Sequence, residues 1–279
     1  MPSRDIFIDA EDALREIEKG SLVAVDIRPF SKYVRAHIPR ALWLYFWDFT
    51  EHEKGMPSKP KDPQEIAKVL GKNGLAREDR VVIAYDKMSI GIASYTYWYL
   101  EYMGQEEIYL LRGGMEEWEV RGLPLERGII KPQQKEYKPR IRDSIKSTID
   151  EVIRIVRGEE EALLLDIRTY EEYIGSLQTT PRAGRIPRSL WIHPSLFIQT
   201  LSGDKEALDR IANIVGRAEK KIITYCATGE RASIAWLVLS KLLKLENVKL
   251  YPESFYEYSS KKELDIEFGE PSPNPRKVQ

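Results

Sequence analysis

The sequence predicts an α/β protein made of two similar halves in tandem, each a mainly parallel sheet flanked by helices. Three observations predict it. Short β-branched runs alternate with stretches of helical length, the pattern of a parallel sheet covered on both faces. A buried run ending in Asp-Ile-Arg occurs twice, at Asp26 and at Asp166, 140 positions apart. The same 140 positions separate Asp86 from Cys226 and Met115 from Phe255, and a spacing held at distant points marks a duplication rather than chance. Between these anchors Ile38-Pro39-Arg40 returns as Ile186-Pro187-Arg188 at a spacing of 148, so the second half carries about eight extra residues, within 175–184.

Composition agrees with two domains and excludes several classes of function. A chain of 279 residues is long for one core and comfortable for two. With 43 basic and 44 acidic side chains the net charge is −1, so there is no electrostatic footprint for nucleic acid or an anionic membrane. One cysteine excludes an intrachain disulfide, and His37, His52 and His193 make no metal-ligand spacing with it. The N-terminus has neither a basic n-region nor an apolar h-region, and no segment approaches a membrane span. The expectation is a soluble, cytoplasmic protein.

Taken in order, residues 8–12 read as a helix entrance with Asp9 as its N-cap. Residues 21–28 are a buried strand ending near Asp26, and helical patterns at 65–70 and 94–103 surround a strand at 81–85. Residues 126–142, basic and polar with Pro132 and Pro139, read as an extended connection. This gives an N-terminal domain over 1–128, a linker over 129–146 and a C-terminal domain over 147–279. In the second half, residues 162–168 repeat the first strand, and helices at 205–217 and 232–244 flank a strand at 221–225. The tail 269–279, with Pro271, Pro273 and Pro275, is expected to be poorly ordered.

The stretch from Tyr225 to Arg231 holds the only cysteine, between a β-branched run and an apolar helical stretch. Cys226 is therefore expected at a strand-to-helix turn. Amides that open a helix lack intrahelical acceptors, and with the helix dipole they favour a thiolate and an approaching anion. Gly229 suits a positive φ in so short a loop, and Arg231 adds a fixed cation. Depressing a thiol pKa by about two units takes roughly 2.7 kcal/mol, which such surroundings supply. The first half has Asp86 at the matching place, and a carboxylate is not a sulfur nucleophile. One half is expected to keep the chemistry while the other supplies scaffold.

Together these residues resemble the tandem rhodanese-domain sulfurtransferases, over about residues 5–268. The motifs are Leu165-Asp166-Ile167-Arg168 with Glu171, Glu172 and Tyr173, then Gly184-Arg185-Ile186-Pro187-Arg188-Ser189, then the loop from Cys226 to Arg231. The first half repeats the pattern at His37-Ile38-Pro39 and in the run from Leu111 to Trp118. The resemblance implies no bound cofactor, only a covalent persulfide on Cys226, formed from a small donor and passed to cyanide, a thiol or a protein acceptor. It implies substrate-binding arginines at Arg231, Arg182 and Arg185, with Arg188 a weaker candidate. The backbone of Ala227, Thr228, Gly229 and Glu230 would hold the anionic sulfur, and Asp166 and Arg168 are expected to be architectural. Ala227-Thr228 is similar to relatives that use 3-mercaptopyruvate, while Gly229-Glu230-Arg231 is similar to prokaryotic thiosulfate sulfurtransferases, and thiosulfate is the favoured donor. A cysteine phosphatase or arsenate reductase would need five residues between cysteine and arginine. Here there are four.

Overall fold

The computed structural model describes residues 5–53, 56–216 and 220–270. The chain divides into two compact units, Met1–Asp143 and Ser144–Gln279. In the first, the elements run β1 (Phe7–Ile8), α1 (Ala10–Glu18), β2 (Val23–Asp26), α2 (Phe30–Arg35), β3 (Leu42–Trp43), β4 (Thr50–Glu53), β5 (Met56–Pro60), α3 (Pro63–Lys72), β6 (Val81–Ala84), α4 (Ile90–Tyr102), β7 (Ile108–Leu111) and α5 (Gly114–Val120). The second continues with α6 (Ile149–Val156), β8 (Ala162–Asp166), α7 (Tyr170–Ile174), β9 (Leu190–Trp191), α8 (Pro194–Leu201), α9 (Lys205–Val215), β10 (Lys221–Tyr225), α10 (Glu230–Leu237), β11 (Val248–Leu250) and α11 (Ser254–Ser260).

Each unit is a parallel sheet flanked by helices, with strand order β1-β7-β6-β2-β3 in the first and β11-β10-β8-β9 in the second. The β4–β5 hairpin of the first unit is antiparallel. In the second unit Tyr225 lies in register with Asp166, and Asp166 with Trp191, so three strands end together. Loops that leave the carboxyl ends of central parallel strands are where such sheets place ligands. One face of the second sheet packs Leu164, Ile223 and Tyr225 against Val152, Ile155 and Phe255, all buried. Fully buried Trp236 on α10 donates its indole N–H to Val248 O at 3.1 Å.

The duplication extends to single hydrogen bonds. Arg28 forks onto Asp26 and also donates to Ala36 O, as Arg168 forks onto Asp166 and donates to Gly184 O. The Trp43 indole donates to Arg28 O, and the Trp191 indole to Arg168 O. Tyr33 caps Ala41 O as Tyr173 caps Ser189 O. Each unit also puts an arginine at a positive φ in the turn after Ile-Pro, Arg40 at 62° and Arg188 at 66°.

Three expectations differ in detail. Asp9 occupies the N-cap position of α1 but makes no cap bond; its carboxylate accepts from Arg112 Nε at 2.7 Å, a stronger charge-assisted partner. The helix expected over 232–244 opens into a π turn at Val238–Leu242, where Ser240 Oγ donates back to Trp236 O. Much of the expected linker, 129–146, is docked on the first unit through Lys135 N to Gly71 O, Arg140 N to Met103 O and Arg142 N to Tyr102 O. Gly71 makes this docking feasible, because a side chain there would collide with Lys135 O. The expectation for the tail concerns residues of which 271–279 lie outside the described residues, as does Arg217 of the expected helix 205–217.

Candidate active site

Strand β10 delivers Cys226 to the carboxyl edge of the second sheet, and α10 starts four residues later. Gly229 makes the reversal at φ 92°, a conformation that side chains disfavour. Its N–H thereby points at the cysteine and reaches Sγ at 3.2 Å. No acceptor is found for the Ala227 and Thr228 N–H groups among the described residues. These are donors an anion can use. Cys226 itself is fully buried, at 0 % exposure, while Ala227, Thr228 and Glu230 are half-buried.

A second loop grips the cysteine from behind. The turn from β11 into α11 places Ser254 at φ 55°, so that its Oγ accepts the Cys226 N–H at 3.1 Å and donates to Tyr251 O at 2.8 Å. Phe255 N–H closes on Cys226 O and Tyr256 N–H on Ala227 O. The first unit has Gly114 at the matching place, also at positive φ. A serine standing where the duplicate has glycine is the signal that would have marked Ser254 from sequence, and it was missed.

Below the loop lies the buried Asp166–Arg168 pair. Arg168 Nη2 sits 2.5 Å from Asp166 Oδ2, and its guanidinium lies 4.1 Å over the Phe255 ring. The Tyr225 hydroxyl donates to the same carboxylate at 2.8 Å, which fixes the residue just before the cysteine. Burial alone would lower the Arg168 pKa, but Asp166 more than offsets it and keeps the cation charged. The first unit builds the same pair, Asp26–Arg28, at a turn that has no cysteine.

Arg231, on the first turn of α10, is held by Glu172 through two bonds, Nη1 to Oε2 at 2.6 Å and Nη2 to Oε1 at 3.0 Å. Burial opposes the Arg231 charge, yet Glu172 and then the Cys226 sulfur raise its pKa, so the cation and the sulfur share one field. Glu172 also accepts from Thr169 N–H, as the reciprocal half of a capping box on α7, and from the Thr179 hydroxyl at 2.6 Å. Burial alone would raise the Glu172 pKa; the Arg231 and Thr179 bonds reverse this and hold it at about 2. Among the described residues Glu230 has no comparable partner, and burial raises its carboxyl above the ordinary value despite neighbouring Arg231.

The other sequence-predicted arginines are occupied. Arg182 donates to Ser259 O, Leu264 O and Lys261 O, clamping the segment that follows α11. Arg185 is buried over the Tyr173 ring at 4.6 Å and bonds Glu267 and Gly269 O, as His37 stacks on Tyr33 in the first unit. Arg188 donates to Ile155 O. The structure thus keeps Arg231 on the first turn after the cysteine loop, bonded to Glu172, and commits Arg182, Arg185 and Arg188 to fastening the chain.

The chain matches the rhodanese-like domain family twice, over residues 9–121 and 148–261, and belongs to it. Over 278 residues it is 30 % identical to a Mycobacterium tuberculosis protein (strain ATCC 25618 / H37Rv) named "Putative thiosulfate sulfurtransferase", covering 95 % of this chain and 98 % of that one. A protein of the same name from Haloferax volcanii is 27 % identical over 285 residues, covering 96 % and 98 %. Among solved structures, wild-type EanB aligns with a TM-score of 0.82 at 21 % identity, over 95 % of this chain and 70 % of that one. YnjE aligns with a TM-score of 0.81 at 20 % identity, over 98 % and 70 %. These two structures share the fold.

Proposed function

We propose that this protein is a sulfurtransferase that carries one sulfur atom as a persulfide on Cys226, with thiosulfate as the favoured donor. The Cys226 thiolate attacks the outer sulfur of thiosulfate, the sulfur–sulfur bond of the donor breaks, and sulfite leaves with the electron pair. Cyanide or a thiolate then attacks the outer sulfur of the persulfide, and the Cys226 thiolate is regenerated as leaving group. The charge on the enzyme sulfur and on the departing sulfite stays on sulfur or oxygen, so its stabilisation falls to the Gly229 N–H, the open amides of Ala227 and Thr228, and Arg231. The observation that carries this reading is the chain's one cysteine at a strand-to-helix turn of the second of two family-matching halves, its sulfur already accepting an amide N–H. The names of the curated relatives support thiosulfate over other donors.

Intact-protein mass spectrometry tests it. Incubation with thiosulfate should add one sulfur mass that cyanide removes, and 3-mercaptopyruvate should load less. Loading by 3-mercaptopyruvate alone would replace the donor, and transfer to neither cyanide nor a thiol after loading would point to a carrier for a protein acceptor. No loading by either donor would sink the reading.

A further inference from the structure

The duplicated halves serve as an internal control. Contacts present in both belong to the architecture, and those confined to the half with the cysteine are candidates for function. The Asp-Arg pair, the tryptophan and tyrosine caps and the Ile-Pro turn all occur twice. The Glu172–Arg231 pair does not. The residue equivalent to Glu172 is Lys32, which pairs with Asp86 at 2.8 Å, and the equivalent of Arg231 is Gly91. Thr179, the third member, lies in the segment that the first half lacks. That segment is tied down at its far end by Arg182 on three carbonyls, which keeps Thr179 on Glu172.

We infer that Glu172, steadied by Thr179 from the inserted segment, is a positioning residue that aims Arg231 at the anion leaving Cys226 and tempers its charge until that anion forms. The inference rests on the sulfur-transfer reading for its anion. Both Glu172 oxygens are filled, by Thr169 N–H, Thr179 Oγ1 and the two Arg231 nitrogens, and the side chain is 4 % exposed, so Arg231 has one well-defined position. Arg231 is 30 % exposed, which leaves part of its guanidinium for a ligand. A carboxylate this close to the cation weakens ground-state anion binding while it fixes geometry, and fixed geometry is what the transition state rewards.

Glu172→Gln separates these effects, because glutamine still serves the capping box while the charge is removed. Sulfite titrated calorimetrically into the sulfur-free protein should bind about tenfold tighter to Glu172→Gln than to wild type. With thiosulfate and cyanide, kcat should fall about tenfold while KM falls too, a split that a merely loosened structure, with KM raised, would not give. Adding Arg231→Gln should erase the gain in sulfite affinity. Unchanged sulfite affinity in Glu172→Gln, no sulfite binding to any form, or a gain that survives Arg231→Gln overturns the inference. Should Glu172→Gln fail to fold, Thr179→Val decides: kcat is expected to fall about threefold, and an unchanged kcat overturns the inference. If thiosulfate and 3-mercaptopyruvate both fail to load sulfur on wild type while the sulfite results hold, the sulfur-transfer reading fails and the positioning role stands.

Discussion

The Asp86 turn and the Cys226 turn are the same piece of backbone filled in two ways. After β6, Asp86 carries its own cation, Lys32, with Arg28 Nη1 3.9 Å away, and the next amide, Lys87 N–H, is taken by the Glu116 carboxylate at 3.0 Å. After β10 the corresponding amide, Ala227 N–H, has no acceptor among the described residues, and Tyr256 stands where Glu116 would be. The first turn has satisfied the amide that follows its strand from within. The second has kept that amide open, and its nearby carboxylate, Glu172, is paired with Arg231. A pocket for an outside anion needs unspent donors, and a duplicate that loses the nucleophile is more stable once its own carboxylates spend them.

Several measurements break or sharpen this contrast. Cys226→Ser should lose all cyanide-removable sulfur by mass spectrometry while the fold is retained by circular dichroism. Asp86→Cys in that background should restore none, because Glu116 and Lys32 already occupy its surroundings; any recovered loading would show that the first turn is only one atom short of a site.

Next in size is the pair that both halves share. Asp166→Asn and Asp26→Asn each strand a buried guanidinium, and each should cost about 3–5 kcal/mol in denaturant unfolding. Equal costs support the duplication as an energetic one, and a large inequality would show that the two sheets depend differently on the pair.

Glu172 provides a pH signature at a position where the first half has a lysine, Lys32. Its folded pKa of about 2 lies below the ordinary carboxylate value of 4.5, so its stabilisation is complete above pH 4.5 and is lost as pH falls towards 2. The loss amounts to about 3 kcal/mol. Acid unfolding of Glu172→Gln should be correspondingly flatter across that window, and an unchanged acid limb would contradict the strength of the Arg231 pair.

Smallest is Asp86→Ala, which should change sulfur-transfer turnover less than about twofold, and stability by about 1 kcal/mol or less, since its Lys32 partner is half exposed. A loss of turnover near that of Cys226→Ser would end the division of labour between the halves.

Much of this was legible in the chain itself. The 140-residue spacing fixed two α/β halves, and β10 appears at Lys221–Tyr225, as its β-branched run requires. The cysteine turn, its positive-φ glycine and the structural Asp166–Arg168 pair followed from local chemistry, because strand ends, helix starts and i, i+2 side chains are set by nearby residues. The arginines were not legible in the same way. Arg231 stands in the cysteine loop itself, but nothing in the sequence tells whether Arg182 and Arg185 meet a ligand or the chain.

What the sequence alone determined is therefore the repeat, the mainly parallel α/β character of each half, and the one sulfur at a turn, all consequences of short-range pattern and spacing. Only the tertiary structure decided which acceptors each arginine takes. Partners 59 to 82 residues away, Glu172 for Arg231 and the carbonyls of Ser259 and Leu264 for Arg182, are chosen by how loops converge at the sheet edge, and a guanidinium goes to whichever acceptors the fold brings within reach.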